Sequence, residues 1–95
     1  MENKKDIRAH VFFSGRVQRV FFRKTTLIKA KIKGLKGWVK NLKDGRVEAI
    51  FEGEKEKIEN LIKNVGKGNP LIRVDYFEID WQESKAEFNS FKITY

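Results

Sequence analysis

A chain of 95 residues that is 40% hydrophobic and includes 8 Phe, 2 Trp and 2 Tyr has the size of one domain and enough apolar mass for a core; this excludes a disordered chain and leaves no room for a separate cofactor domain. With no Cys and one His, it has no disulfide, thiolate nucleophile, Cys-based metal site or His-rich metal centre, and Ser/His/Asp catalysis is a poor fit. The net charge of +8 is uneven, since residues 1–48 hold 14 basic and 4 acidic residues while residues 49–95 hold 7 and 9, so the first half is expected to meet an anion: a phosphate-bearing small molecule, nucleic acid or a membrane headgroup.

The opening Met1-Glu2-Asn3-Lys4-Lys5-Asp6 has no apolar run, and residues 1–6 are expected to be a flexible lead-in to a single domain spanning 1–95. No stretch approaches the ~18 apolar residues of a membrane helix, so the expectation is a soluble, cytoplasmic protein with no membrane partner. From Ile7 to Phe13, Ile7, Ala9, Val11 and Phe13 alternate with Arg8, His10 and Phe12, the period of a strand with one buried face. That strand is expected to end at Ser14-Gly15. The segment Phe21 to Gly34 reads as a helix by its length and its terminal glycine, with two competing apolar faces: Phe21, Ile28, Ile32 and Leu35, or Phe22, Thr26 and Ala30.

Strands over Gly37–Leu42 and Arg46–Glu52 flank Asp44-Gly45, a dipeptide suited to the positive φ of a tight hairpin. Val47, Ala49 and Phe51 form the inner face of the second of them. Glu54 to Val65 places Ile58, Leu61, Ile62 and Val65 on one stripe with Gly66 as a stop, the clearest helix in the chain. After a loop to Pro70, the alternation of Ile72, Val74 and Tyr76 slips to Phe77, Ile79 and Trp81, which a bulge near Tyr76 and Phe77 or a two-sided strand would explain. Phe91, Ile93 and Tyr95 alternate as a short last strand. The order βαββαβ plus a C-terminal strand is a split βαβ arrangement of the α+β class, with two helices on one face of an antiparallel sheet and the other face comparatively free.

Gly15-Arg16-Val17-Gln18-Arg19-Val20 lies between the first strand and the first helix. A loop entering a helix offers unpaired N–H groups and the positive end of a dipole, a cradle for an anion. Arg23 in the first helical turn can fold back over it with its planar fork. Any strand-to-helix loop looks like this, so the loop becomes informative only beside a second motif.

The second motif is Gly37-Trp38-Val39-Lys40-Asn41-Leu42-Lys43-Asp44-Gly45-Arg46-Val47-Glu48. Together with Gly15 to Arg23, Ala30 and Gly34-Leu35, and with the final Phe91-Lys92-Ile93-Thr94-Tyr95, it resembles the acylphosphatase family. The resemblance implies a ferredoxin-like fold and hydrolysis of the carboxyl-phosphate bond of a small acyl phosphate such as acetyl phosphate, carbamoyl phosphate or 1,3-bisphosphoglycerate. It implies no metal and no cofactor. By the same resemblance Arg23 is the phosphate-binding arginine and Asn41 the residue that holds the attacking water, with Gly15, Arg16, Val17, Gln18, Arg19 and Val20 forming the substrate loop. A carboxylate is already a good leaving group, so such a reaction needs positioning and charge stabilisation more than a general base.

One position departs from the pattern: where the family loop usually reads Val-Gln-Gly-Val, this chain has Val17-Gln18-Arg19-Val20. If that glycine has positive φ, a side chain there is strained; the guanidinium also puts a second positive charge beside the substrate. The alternative reading is accordingly a non-catalytic or weakened phosphate-binding homologue. His10, on the polar side of the first strand, reads as a surface residue, and Trp38 and Trp81 as packing residues. A basic RNA-binding module is the remaining rival, but Arg46-Val47-Glu48-Ala49-Ile50-Phe51 lacks the interleaved aromatics of an RNA-recognition strand, so nucleic acid is not the expected partner. A monomer is expected.

Overall fold

The computed structural model describes residues 5–95, in the order β1 (Asp6–Arg16), α1 (Phe22–Ile32), β2 (Lys36–Asn41), β3 (Val47–Glu54), α2 (Lys55–Asn64), β4 (Arg73–Glu83) and β5 (Phe91–Ile93). The expectation of a flexible stretch over 1–6 lies outside the described residues as far as residue 4, and Asp6 already pairs with Glu54. The sheet order is β4-β1-β3-β2-β5. Each of the first three pairings is antiparallel, but β5 runs parallel to β2, so the expected antiparallel sheet is mixed at that edge. The cause is topological. Segment 84–90 reverses the chain and carries it from the β4 edge to the opposite edge, where β2 runs in the same sense.

The strand periodicity becomes the core directly. Ala9, Val11 and Phe13 of β1 register with Phe51, Ala49 and Val47 of β3, and all six are fully buried. Onto this face α2 packs Ile58, Leu61 and Ile62 over β3 and β1, while α1 lies over β2 and β5. For α1 the structure decides between the two apolar stripes. Phe22, Thr26 and Ala30 face the sheet, whereas Phe21, Ile28 and Ile32 are exposed. Phe22 packs edge-on to Phe13 with ring centroids 5.0 Å apart, and buried Thr26 returns its hydroxyl proton to the Phe22 carbonyl at 2.8 Å. The Lys29 ammonium donates to the carbonyl of Asn64 at 2.8 Å, placing a cation on the negative end of α2.

Gly37 pairs with both Phe51 and Phe91. A Cβ there would lie 1.9 Å from the Ile50 carbonyl oxygen, and the bare backbone lets the two phenyl rings stack across it at 5.4 Å. The bulge in β4 falls at Asp75, one or two residues before the sequence slip, since Ser14 registers with Tyr76 and Gly15 with Val74. After it, Phe77, Ile79 and Trp81 share the core side with their β1 partners Phe13, Val11 and Ala9.

The opposite face of the sheet is less free than the pattern suggests. Arg8 and Glu52, outward-pointing neighbours on β1 and β3, are only 6% and 4% exposed because segment 84–90 crosses over them. Arg8 Nε donates to Glu52 Oε2 at 2.8 Å, the Lys85 N–H donates to the same oxygen at 2.9 Å, Arg8 also pairs with Glu87, and Phe88 lies under the guanidinium. Burial opposes the Arg8 charge, but its bonds to Glu87 and Glu52 outweigh that and hold its pKa above the ordinary value. Burial likewise opposes the Glu52 charge, yet the Lys85 N–H and Arg8 hold its carboxyl below the usual range. His10, read from the sequence as a surface residue, meets Glu48 at 2.6 Å.

Candidate active site

The route from β1 to α1 is set first at Gly15. Its φ is +129, and a Cβ there would lie 2.2 Å from the Arg73 carbonyl oxygen and 2.8 Å from the Asp75 nitrogen, so only glycine admits β4 this close, beside its bulge. Gly15 and Arg16 are still in the ladder, opposite Val74 and Arg73. Of the six residues expected to form the loop, Val17 to Val20 therefore make up the loop proper.

Three anchors fix it. Val17 and Val20 are buried in the core. The Gln18 Nε2 donates to the carbonyls of Leu42 at 2.7 Å and Arg46 at 2.9 Å, which ties the loop to the base of the β2–β3 hairpin. Asn69 Nδ2 donates to the Val20 carbonyl at 3.0 Å. The side chains of Gln18 and Val20 thus hold the loop rather than face its concavity.

Arg19 and Phe21 both adopt left-handed backbone, with φ of 63 and 64, while Gln18 and Val20 between and before them do not. Left-handed residues alternating with right-handed ones are the backbone pattern from which an anion-binding nest of N–H groups is built. Among the described residues, no backbone hydrogen bond uses the N–H of Gln18, Arg19 or Val20. Each left-handed side-chain residue costs roughly 1–2 kcal/mol, and strain of this kind concentrates where a structure needs an unusual shape. Phe21 is also the N-cap of α1. The helix has no side-chain cap and no acidic residue in its first turn, so no carboxylate of its own offsets its positive end.

Around this nest the structure brings together residues distant in sequence. Arg23 lies in the first turn of α1, and its guanidinium carbon sits 5.0 Å from the ring centroid of Tyr95. Asn41 is the last residue of β2, and its Oδ1 is buried and accepts no hydrogen bond from the described residues. The hairpin beyond it is closed by the Leu42 N–H to Arg46 carbonyl bond at 2.8 Å. Asp44 accepts from the backbone N–H and the Nε of Arg46, which together hold its carboxyl below the usual range.

Val17, Arg19, Phe21, Phe22, Arg23, Lys24, Asn41 and Ile93 line one cleft of about 290 Å³. Its charged members are all cations. Among the described residues none of Arg19, Arg23 and Lys24 forms an ion pair. A larger hollow of about 480 Å³ beside Trp38 and Phe88 takes in Glu87 and none of the residues from 17 to 24. The predicted pair, Arg23 and Asn41, meets in the smaller cleft together with Val17 and Arg19. Gly15, Arg16, Gln18 and Val20 do not line it. Asn69, Ile93 and Tyr95 were not among the expected site residues, because their places beside the loop, the cleft and Arg23 rest on long-range contacts that leave no local pattern.

Comparison with known proteins bears on the chain as a whole. The family described as Acylphosphatase matches residues 9–93. The acylphosphatase of Pelotomaculum thermopropionicum is 42% identical over 88 residues, covering 93% of this chain and 96% of the relative. That of Pyrobaculum calidifontis is 47% identical over 88 residues, covering 92% and 80%. In three dimensions the chain is similar to the crystal structure of acylphosphatase from Bacillus subtilis, with a TM-score of 0.87 at 32% identity and coverage of 94% and 99%.

Proposed function

Because the chain belongs to the acylphosphatase family and is an enzyme acting on acyl phosphates, we propose that Arg23 and the 15–20 loop hold the phosphoryl group while Asn41 orients the attacking water. The observation that carries this reading is the unpartnered, buried Oδ1 of Asn41 in the cleft that Arg23 also lines. A buried amide oxygen without a donor is uncommon in folded proteins, and a substrate water can supply the missing hydrogen bond.

The chemistry follows from the charges. The phosphoryl oxygens enter the nest, where loop N–H groups, the positive end of α1 and the Arg23 fork converge on them. Water held by Asn41 forms a bond from its oxygen to phosphorus on the side away from the acyl group. The P–O bond to the carboxyl oxygen breaks, and its electron pair leaves with the carboxylate. The water proton passes to the product phosphate or to solvent. Negative charge spreads over the phosphoryl oxygens in the transition state, so fixed donors aimed at them lower the barrier without a general base.

Hydrolysis of benzoyl phosphate in EDTA tests this. Wild type should turn over with the chelator present, and Asn41→Ala and Arg23→Ala should each reduce kcat/KM by about 10²–10³-fold, the usual loss of one positioned transition-state contact. Circular dichroism of each variant should match wild type. Folded variants that keep full activity would remove both residues from the reaction.

A further inference from the structure

The cleft carries more positive charge than a phosphoryl group requires. Arg23 and the nest already face one phosphate, yet Arg19 and Lys24 line the same 290 Å³, no carboxylate does, and among the described residues none of the three cations is ion-paired. Arg19 is also held in left-handed backbone where glycine would sit without strain. Arg19 is one of the residues that line the cleft, whose uncharged members apart from Asn41 are apolar: Val17, Phe21, Phe22 and Ile93. Unpaired guanidinium groups beside an apolar wall favour a ligand that brings its own negative charge.

We propose that Arg19 is a specificity-determining residue that selects acyl phosphates whose acyl portion carries a second anionic group, a carboxylate or a phosphate, over those with an uncharged acyl chain. This rests on the acylphosphatase reading above and adds to it which substrates the site favours. The phosphoryl end occupies the nest and Arg23, and the acyl end extends along the apolar wall until its own anion meets the Arg19 fork. An uncharged acyl chain gains the apolar contact alone. Lys24 supplies a weaker, more mobile charge to the same region.

Succinyl phosphate and butyryl phosphate form a matched pair, with equal carbon chains that differ in a terminal carboxylate. Wild type should hydrolyse succinyl phosphate with a kcat/KM about tenfold or more above that for butyryl phosphate, the ratio expected of one charge-assisted contact in a partly open site. In Arg19→Gly and Arg19→Gln the ratio should fall toward one, and Arg19→Lys should retain part of it. Each variant is compared with itself, so any loss of folded enzyme cancels. The wild-type ratio should also shrink with added salt. A wild-type ratio near one, or a preference that survives Arg19→Gln, overturns the assignment while leaving the acylphosphatase reading in place. Failure of wild type to hydrolyse either substrate overturns that reading and this one with it.

Discussion

Arg19 occupies a conformation that its own side chain opposes. The backbone at this position has φ 63, and replacing it with glycine removes a penalty of roughly 1 kcal/mol. Arg19→Gly is therefore expected to raise Tm by several degrees, given about 4–8 °C per kcal/mol for a domain of this size. It should also raise kcat on substrates with an uncharged acyl group such as benzoyl phosphate, because a cation that tightens the ground state without following the transition state slows turnover. A kcat that stays level or drops in that variant would mean that the arginine serves the transition state itself. At Gly15 the strain runs the other way. A Cβ there would lie 2.2 Å from a backbone oxygen, so Gly15→Ala is expected to destabilise by about 3 kcal/mol or more and to lower the denaturation midpoint accordingly. A variant as stable as wild type would show that β1 and β4 can part at the bulge.

Two pieces of connecting chain organise the elements. Gln18 bonds to two hairpin carbonyls and so fixes the distance between the nest and Asn41. Gln18→Ala should lower kcat/KM about tenfold with a stability loss of about 1–2 kcal/mol, and an unchanged kcat/KM in folded protein would mean the hairpin holds its place unaided. Segment 84–90 is fastened through Glu52, whose carboxyl the Lys85 N–H and Arg8 hold below its usual range against the opposing effect of burial. A depressed folded-state pKa contributes stability that is present above the unfolded value, near 4.3, and is lost as pH falls through the folded value. The stability gap between wild type and Glu52→Gln should accordingly be largest at neutral pH and close as pH drops below about 4. Chemical denaturation from pH 7 to pH 3 measures it, and a gap independent of pH would assign the role of Glu52 to packing.

For the molecule as a whole, the net charge of +8 sets up a positive field in which an anionic substrate is concentrated. Raising ionic strength from roughly 0.02 to 0.5 M should increase KM several-fold while kcat holds, since the short-range contacts inside the cleft are screened far less than the approach; a flat KM would confine the useful charge to the site. Among the described residues no helix is long and apolar enough to cross a membrane. Much of this architecture was legible in the sequence. Period-two alternation placed Ala9, Val11 and Phe13 on the buried face of β1, and the Ile58, Leu61, Ile62 stripe oriented α2, because burial of apolar area is decided by spacing along one element. The resemblance carried by the two motifs singled out Arg23 and Asn41, and the fold sets both against one cleft. Only tertiary structure decided which stripe of α1 faces inward, where two faces of similar hydrophobicity compete and the sheet must choose. It alone also set the parallel entry of β5, the burial of Arg8 and Glu52, and the closure of one cleft around Arg19, Arg23, Lys24 and Asn41. Those outcomes depend on pairings between residues tens of positions apart, and the periodicity of one segment carries no record of what will be packed against it.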